Sequence, residues 1–208
     1  MRDHFTQAIQ ARDAIIRGDL AAMKVPAKWL ADGTVSETLP EDWKPYVAHL
    51  QNIARLALQA KELAEAASAI GAMGAACGDC HAELGVTRRL LRMSPEGQLL
   101  RAPDRMLRHP WAADRMWEGL IRPSDRAWSA GAGVLQETTL RREMLADNNS
   151  PPRAVVALAD AVRILGQLGS TMPAWSARAR LYGDYVATCA ACHSMLGVQQ
   201  GSTRPPHG

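Results

Sequence analysis

Two stretches, CGDCHAELGV from Cys77 and CAACHSMLGV from Cys189, constrain this 208-residue chain more than any other feature. They hold all four cysteines, in one frame, each pair followed by a histidine and both ending in Leu-Gly-Val. The likeness extends upstream. Met-x-x-His occurs at Met1–His4 and again at Met106–His109, 105 residues later. Ile-Arg comes twelve residues after each histidine, at Ile16-Arg17 and Ile121-Arg122, and a turn residue follows, Gly18 or Pro123. Gly71 stands opposite Gly183 at the 112-residue offset of the cysteines, so the second copy carries a seven-residue insertion, placed around LADNNSPPR. Landmarks repeated in one order define two homologous units. They cover 1–86 and 104–200, joined by a linker over 87–103 and followed by a flexible tail over 201–208.

Each unit reads as four helices. Alanine is abundant, β-branched residues are few, and strand-like alternation is hard to find, which favours an all-α fold. In the first unit His4, Ala8, Ala11 and Ile15 share a helical face flanked by Phe5, Ile9 and Ile16. Gly18 reads as a helix stop and Asp19 as the next N-cap. The second helix runs over 20–32, interrupted or kinked at Pro26. The third buries Val47, Leu50, Ile53 and Ala57, and the fourth covers 68–84, stopped by Gly85. The second unit repeats the plan near 104–122, 124–146, 151–168 and 173–196. Four antiparallel helices sharing an apolar stripe make a bundle, so the expected architecture is two tandem four-helix bundles. The formal charge of +3 is too small to argue for nucleic acid, and no apolar run approaches the roughly 20 residues that span a bilayer.

On a helix, positions i, i+3 and i+4 share a face. Cys77, Cys80 and His81 therefore point together, as do Cys189, Cys192 and His193. Two thiols one turn apart can add across the two vinyl groups of a haem, and the adjacent histidine then supplies an axial nitrogen to the iron. This is the c-type haem attachment pattern, and two copies that use every cysteine make it a strong signal. The cofactor expected is two haem c groups, one on the last helix of each unit. A zinc site or a redox disulfide are the competing readings. Zinc gives no reason for the fixed order of histidine after cysteine, and the strand-then-helix setting of a redox pair is missing.

Tandem four-helix units with Cys-x-x-Cys-His near the C-terminus of each resemble the cytochrome c′ class of c-type cytochromes. The resemblance implies that the first helix of each unit places a residue over the open face of its haem. That position can be empty, covered by an apolar side chain, or filled by a ligand. The residues to test are His4 and His109, with Met1 and Met106 as alternatives. Pro110 suits a helix start, which sets His109 near a terminus and Met106 outside the regular turn; the histidines are the expected sixth ligands. His49 and His207 have no counterpart and read as ordinary surface residues.

The resemblance implies an electron carrier or relay subunit of a respiratory or photosynthetic chain, not an enzyme. A gas-binding protein with five-coordinate haems is the alternative. A peroxidase has less support, since no distal acid–base set accompanies either motif. Redox proteins, a membrane oxidoreductase among them, are the expected partners. Haem c is attached outside the cytoplasm, which points to the periplasm. The polar opening MRDHFTQAIQ is no export signal, so the expectation is a chain whose leader has been removed. Tyr182, Tyr185 and Met73, before the motifs, read as core packing with a haem edge as the other option. Trp111, Trp117 and Trp128 have the spacing of bundle packing. Arg88, Arg89, Arg92, Arg101, Arg105 and Arg108 crowd the junction, where they could meet carboxylates or simply form a solvated linker.

Overall fold

The computed structural model describes residues 2–33, 39–85, 108–137, 152–172 and 174–197. Those residues form eight α-helices and one 3₁₀ turn, Glu41–Trp43, with no strand among them. The helices of the first half are α1 (Arg2–Ile16), α2 (Leu20–Asp32), α3 (Lys44–Gln59) and α4 (Leu63–Glu83). Those of the second are α5 (Arg108–Ile121), α6 (Asp125–Glu137), α7 (Arg153–Ser170) and α8 (Trp175–Leu196). The all-helical class is as expected. The linker 87–103, the tail 201–208, Met1, Met106 and the junction arginines before Arg108 lie outside the described residues.

The repeat is legible helix by helix. α2 and α6 are related by 105 residues at both ends, and α4 and α8 start 112 residues apart. The change from 105 to 112 falls between α6 and α8. Local chemistry explains the boundaries. Gly18 adopts φ +77°, a left-handed turn that ends α1, and Asp19 then accepts a hydrogen bond from the Ala22 amide at 2.8 Å. In the second half Ser124, 105 residues on from Asp19, accepts from the Ala127 amide at 3.2 Å. Pro26 lies buried within an unbroken α2. α4 begins five residues earlier than the expected 68, because Leu63, Ala66, Ala67 and Ile70 continue its apolar stripe.

Within each half consecutive helices pack against one another: α1 on α2, α2 on α3, α3 on α4, then α5 on α6, α6 on α7, α7 on α8. The broadest contact between halves is α4 on α8. α5 also packs on α4, and α1 on α8, so each first helix touches the last helix of the other half. The halves are therefore not walled off from each other. One continuous core runs from Ala8 and Ile15 through Ile70 and Met73 to Trp117, Tyr182 and Val186.

The crossing is possible because both helices are bare where they meet. A Cβ on Gly71 would collide with the Ala179 carbonyl oxygen, and one on Gly183 would come within 3.1 Å of the Ala67 carbonyl oxygen. Gly71 and Gly183, and Ala67 and Ala179, are pairs of repeat-equivalent residues. The contact is therefore reciprocal, as in an isologous dimer interface, but within one chain.

Arg12 is the unexpected member of this core, 1 % exposed. Its Nη2 donates to Asp114 at 2.6 Å and to Asp13 at 2.7 Å, and its guanidinium lies 5.7 Å from the centre of the Trp117 ring. A buried cation needs such pairing. The bond from Arg12 to Asp114 ties α1 of one half to α5 of the other.

Candidate haem-attachment sites

Both motifs occupy the last turns of the last helix in their half, as expected. The four cysteines are unbridged thiols. Burial pushes the Cys77 and Cys189 thiols up to about 12, and raises those of Cys80 and Cys192 as well. A redox-active pair needs the opposite, a depressed thiol pKa that supplies thiolate at neutral pH. These thiols stay protonated, which weighs against the disulfide reading.

The histidines carry the most informative geometry. His81 Nδ1 lies 2.5 Å from the carbonyl oxygen of Ile121, and His193 Nδ1 lies 2.7 Å from that of Ile16. A carbonyl oxygen only accepts, so each Nδ1 must donate, which in the neutral tautomer leaves the lone pair on Nε2. Metal-binding imidazoles are commonly held this way: the bond fixes the tautomer and ring orientation and raises the basicity of the ligating nitrogen. Ile16 and Ile121 are repeat-equivalent, each the last residue of its first helix. Each motif histidine is thus braced by the other half.

Around the second motif a small cavity is lined by Cys189, Cys192 and His193 of α8, His109 of α5, and Leu158, Ala159 and Val162 of α7. His109 is 7 % exposed, and its Nε2 is buried with no hydrogen-bond partner. Burial first, and His193 second, lower its pKa to about 4, so the imidazole is neutral at pH 7. A neutral ring with a buried, unused nitrogen is what a metal asks of histidine. His109, expected from sequence to face the second motif, does so.

His4 does not repeat this placement. Its ring stacks edge-on against Trp29 with centroids 5.1 Å apart, and it lines a hollow with Val25, Lys28, Trp29, Asp32 and Gly33, none of them from the first motif. Beside the first motif α3 packs on α4 and brings Tyr46 near Cys80. Tyr46 is half-buried there, and its phenol pKa is raised by desolvation and by Glu83, Cys80 and Asp79. At the 112-residue offset Tyr46 corresponds to Leu158.

The donor atoms suit haem. A porphyrin brings four nitrogens of its own, so the protein needs to add only one or two axial donors beside each thiol pair. Among the described residues, no three His, Cys, Asp or Glu side chains are gathered as a metal-ion site would require. The space is less complete: the second-motif cavity holds about 10 Å³, close to one water. Seating a porphyrin would require α7 to draw back from α8, and Leu158, only half-buried, marks the open side.

Tyr182 and Tyr185, read from sequence as core packing, are fully buried. They also do something the periodicity could not reveal: their hydroxyls donate to the Ala113 and His109 carbonyl oxygens, each at 3.1 Å. Met73, Trp117 and Trp128 are core residues, and Trp128 donates from Nε1 to the Gly169 carbonyl at 2.8 Å. His49 is exposed. No family model matches this chain, and neither a curated protein nor a solved structure does. Among the described residues no helix is long and apolar enough to cross a membrane.

Proposed function

We propose that this chain is a dihaem c-type cytochrome that carries or relays electrons, built as two fused units resembling the cytochrome c′ class. The observation that carries the reading is the state of the two motif histidines. Each follows its cysteine pair at the end of a helix, and each has Nδ1 committed to a backbone carbonyl and Nε2 left to bind. Cys77 and Cys80 would hold one haem and Cys189 and Cys192 the other, through thioether bonds. When bound, haem supplies a one-electron couple whose potential the protein sets through axial ligands, hydrogen bonds and burial.

The chain's own part is positional. The Ile16 and Ile121 carbonyls orient His193 and His81, and the apolar walls of α7 and α8 lower the local dielectric. The glycine crossing of α4 and α8 locks the two sites into one body, which suits transfer between them. Redox proteins, including a membrane oxidoreductase, are the partners this reading calls for, and the periplasm is where such a chain would mature.

The test is a haem count. The chain, produced with a c-type maturation apparatus, should show two haems by pyridine haemochrome and an intact mass raised by two haem masses. Cys77→Ala/Cys80→Ala and Cys189→Ala/Cys192→Ala should each lose one. A chain that matures with no covalent haem overturns the reading.

A further inference from the structure

The hydrogen bond from His81 to the Ile121 carbonyl joins the two halves, so the end of α5 has to be held against α4. A helix end leaves its last carbonyls without partners inside the helix. On α5 the Gly119 carbonyl still accepts from the Ser124 amide, while those of Leu120 and Ile121 turn to α4. Ile121 takes His81 Nδ1 at 2.5 Å, and Leu120 lies on Gly78, between the two cysteines of the first motif.

Gly78 is buried, and a Cβ there would strike both the Leu120 carbonyl oxygen and the Trp175 indole. The missing side chain makes a notch in α4 that these two groups fill. Trp175 is the first residue of α8, so both come from the second half. The indole enters by the edge that carries Cζ2 and Cε2; Nε1, bonded to Cε2, is buried with no hydrogen-bond partner. An unpaired buried donor is a cost, so the ring is held here for the surface it covers rather than for a bond it makes. The second motif is built otherwise. Ala190 stands at the register of Gly78, and Leu63 at that of Trp175. There the bare residue is Gly18, just beyond α1, where a Cβ would meet Ser194 Oγ at 2.5 Å and the Ala190 carbonyl oxygen at 3.4 Å.

Resting on the functional reading above, we propose that Trp175 is a positioning residue for the first haem site. With Gly78 it seats the end of α5 and keeps water from the bond between His81 and Ile121. It thereby sets how strongly His81 donates to iron. Donation from Nδ1 raises the basicity of the ligating Nε2. A more basic axial ligand favours the ferric state and holds the potential down. The second half of the chain thus governs the potential of the haem in the first.

Two measurements test this. The first is the reduction potential, read in a Cys189→Ala/Cys192→Ala chain, where only the first haem is present. Gly78→Ala fills the notch and pushes the end of α5 away, so it should raise that potential. In a Cys77→Ala/Cys80→Ala chain the same substitution should leave the second haem's potential in place. The second is exchange of the His81 Nδ1 proton in the haem-free chain, followed by nitrogen-15 NMR of the imidazole. Trp175→Ala should speed it by about tenfold, the worth of one hydrogen bond, and Trp175→Phe, which keeps a ring in the notch, by less. An exchange rate that Trp175→Ala leaves unchanged overturns the proposal. So does a first-haem potential that Gly78→Ala leaves in place or lowers, or a rise that the second haem shares. If one variant does not fold, the measurement on the other decides. A chain that takes up no covalent haem overturns the functional reading instead, and the exchange rates still decide whether Trp175 guards the bond.

Discussion

At the second motif the facing wall is Leu158, Ala159 and Val162 with His109 above them; the same register in the first half holds Tyr46, Val47 and Leu50, with His4 turned to Trp29. The helices that carry these residues follow one order in both halves, with α2 and α6 offset by 105 residues at both ends, α4 and α8 starting 112 apart, and the two central helices meeting through glycines 112 residues apart. Duplicating a chain duplicates its helix lengths and caps, because those are set by local residues. The environment of each site depends on a few side chains at its walls, and these can diverge without disturbing the frame. Tyr182 and Tyr185 against Ile70 and Met73 make the point: all four fill core volume, but only the tyrosines also fix the neighbouring helix.

The largest expected effect tests whether the two halves depend on each other. Arg12 has no charged equivalent in the second half; its register position there is Trp117, the ring it lies over. Arg12→Met would strip the buried Asp114 and the half-buried Asp13 of their shared cation. Breaking a buried ion pair from one side costs about 3–5 kcal/mol. Urea unfolding should record that loss as one cooperative transition for the whole chain. Two transitions, with only the first half weakened, would show the halves to be independent.

The second effect compares His109 with His4 in the haem-free chain. His109 is held neutral to about pH 4 in the folded state, against an ordinary value of 6.5. The unfolded chain therefore binds a proton that the folded chain refuses across that window. The stability is fully present above about pH 6.5 and is lost as the pH falls towards 4, by up to about 3 kcal/mol. His109→Leu should flatten this part of the profile, read from urea midpoints at pH 7.5 and 4.5. His4 is also lowered, by burial first, but it is only half-buried, so His4→Leu should flatten the profile far less.

Much of this frame is legible in the sequence, and the reasons are physical. The helix ends at Gly18, Asp19 and Gly85 follow from short-range chemistry that residue identity reveals. So does the repeat, because Gly71 and Gly183 must stay bare for two backbones to touch. His109 could be picked out by its recurrence with His4, and the structure sets it beside the second motif. Its partner's different fate could not be read, since it turns on which residue α4 offers to α1, a tertiary fact. Arg12 was silent for the same reason. One arginine on an amphipathic helix looks solvated until the opposing half supplies Asp114 and Trp117. The exchange of braces, His81 on Ile121 and His193 on Ile16, involves backbone carbonyls, which leave no trace in side-chain identity.

The crossing can be tested from both sides. Gly71→Ala pushes a methyl into the Ala179 carbonyl, a backbone group that cannot swing aside. Overpacking of this kind costs about 1–3 kcal/mol, and alanine returns about 1 kcal/mol through helix propensity. A net loss of up to about 2 kcal/mol is expected. Gly183→Ala meets the Ala67 carbonyl at 3.1 Å, a contact that a few tenths of an ångström relieve, so propensity should bring it within about 1 kcal/mol of neutral. Thermal melts of the pair should rank Gly71→Ala well below Gly183→Ala. Equal losses would mean that the crossing is symmetric in tightness as well as in register.

The smallest effect compares the two N-caps. Asp19 and Ser124 hold the same position in the repeat, and each accepts a hydrogen bond from the amide three residues on, at 2.8 Å and 3.2 Å. A carboxylate at a helix N-terminus also meets the positive end of the helix dipole, an advantage the serine hydroxyl lacks. Asp19→Ala should therefore cost about 1–1.5 kcal/mol and Ser124→Ala about 0.5–1 kcal/mol. Only the first should depend on salt, because only it removes a charge. Raising the ionic strength from low to about 0.5 M screens that charge and should shrink the gap between the variants. A gap that ignores salt would assign the difference to hydrogen-bond length alone, and the two caps would then be one device at two distances.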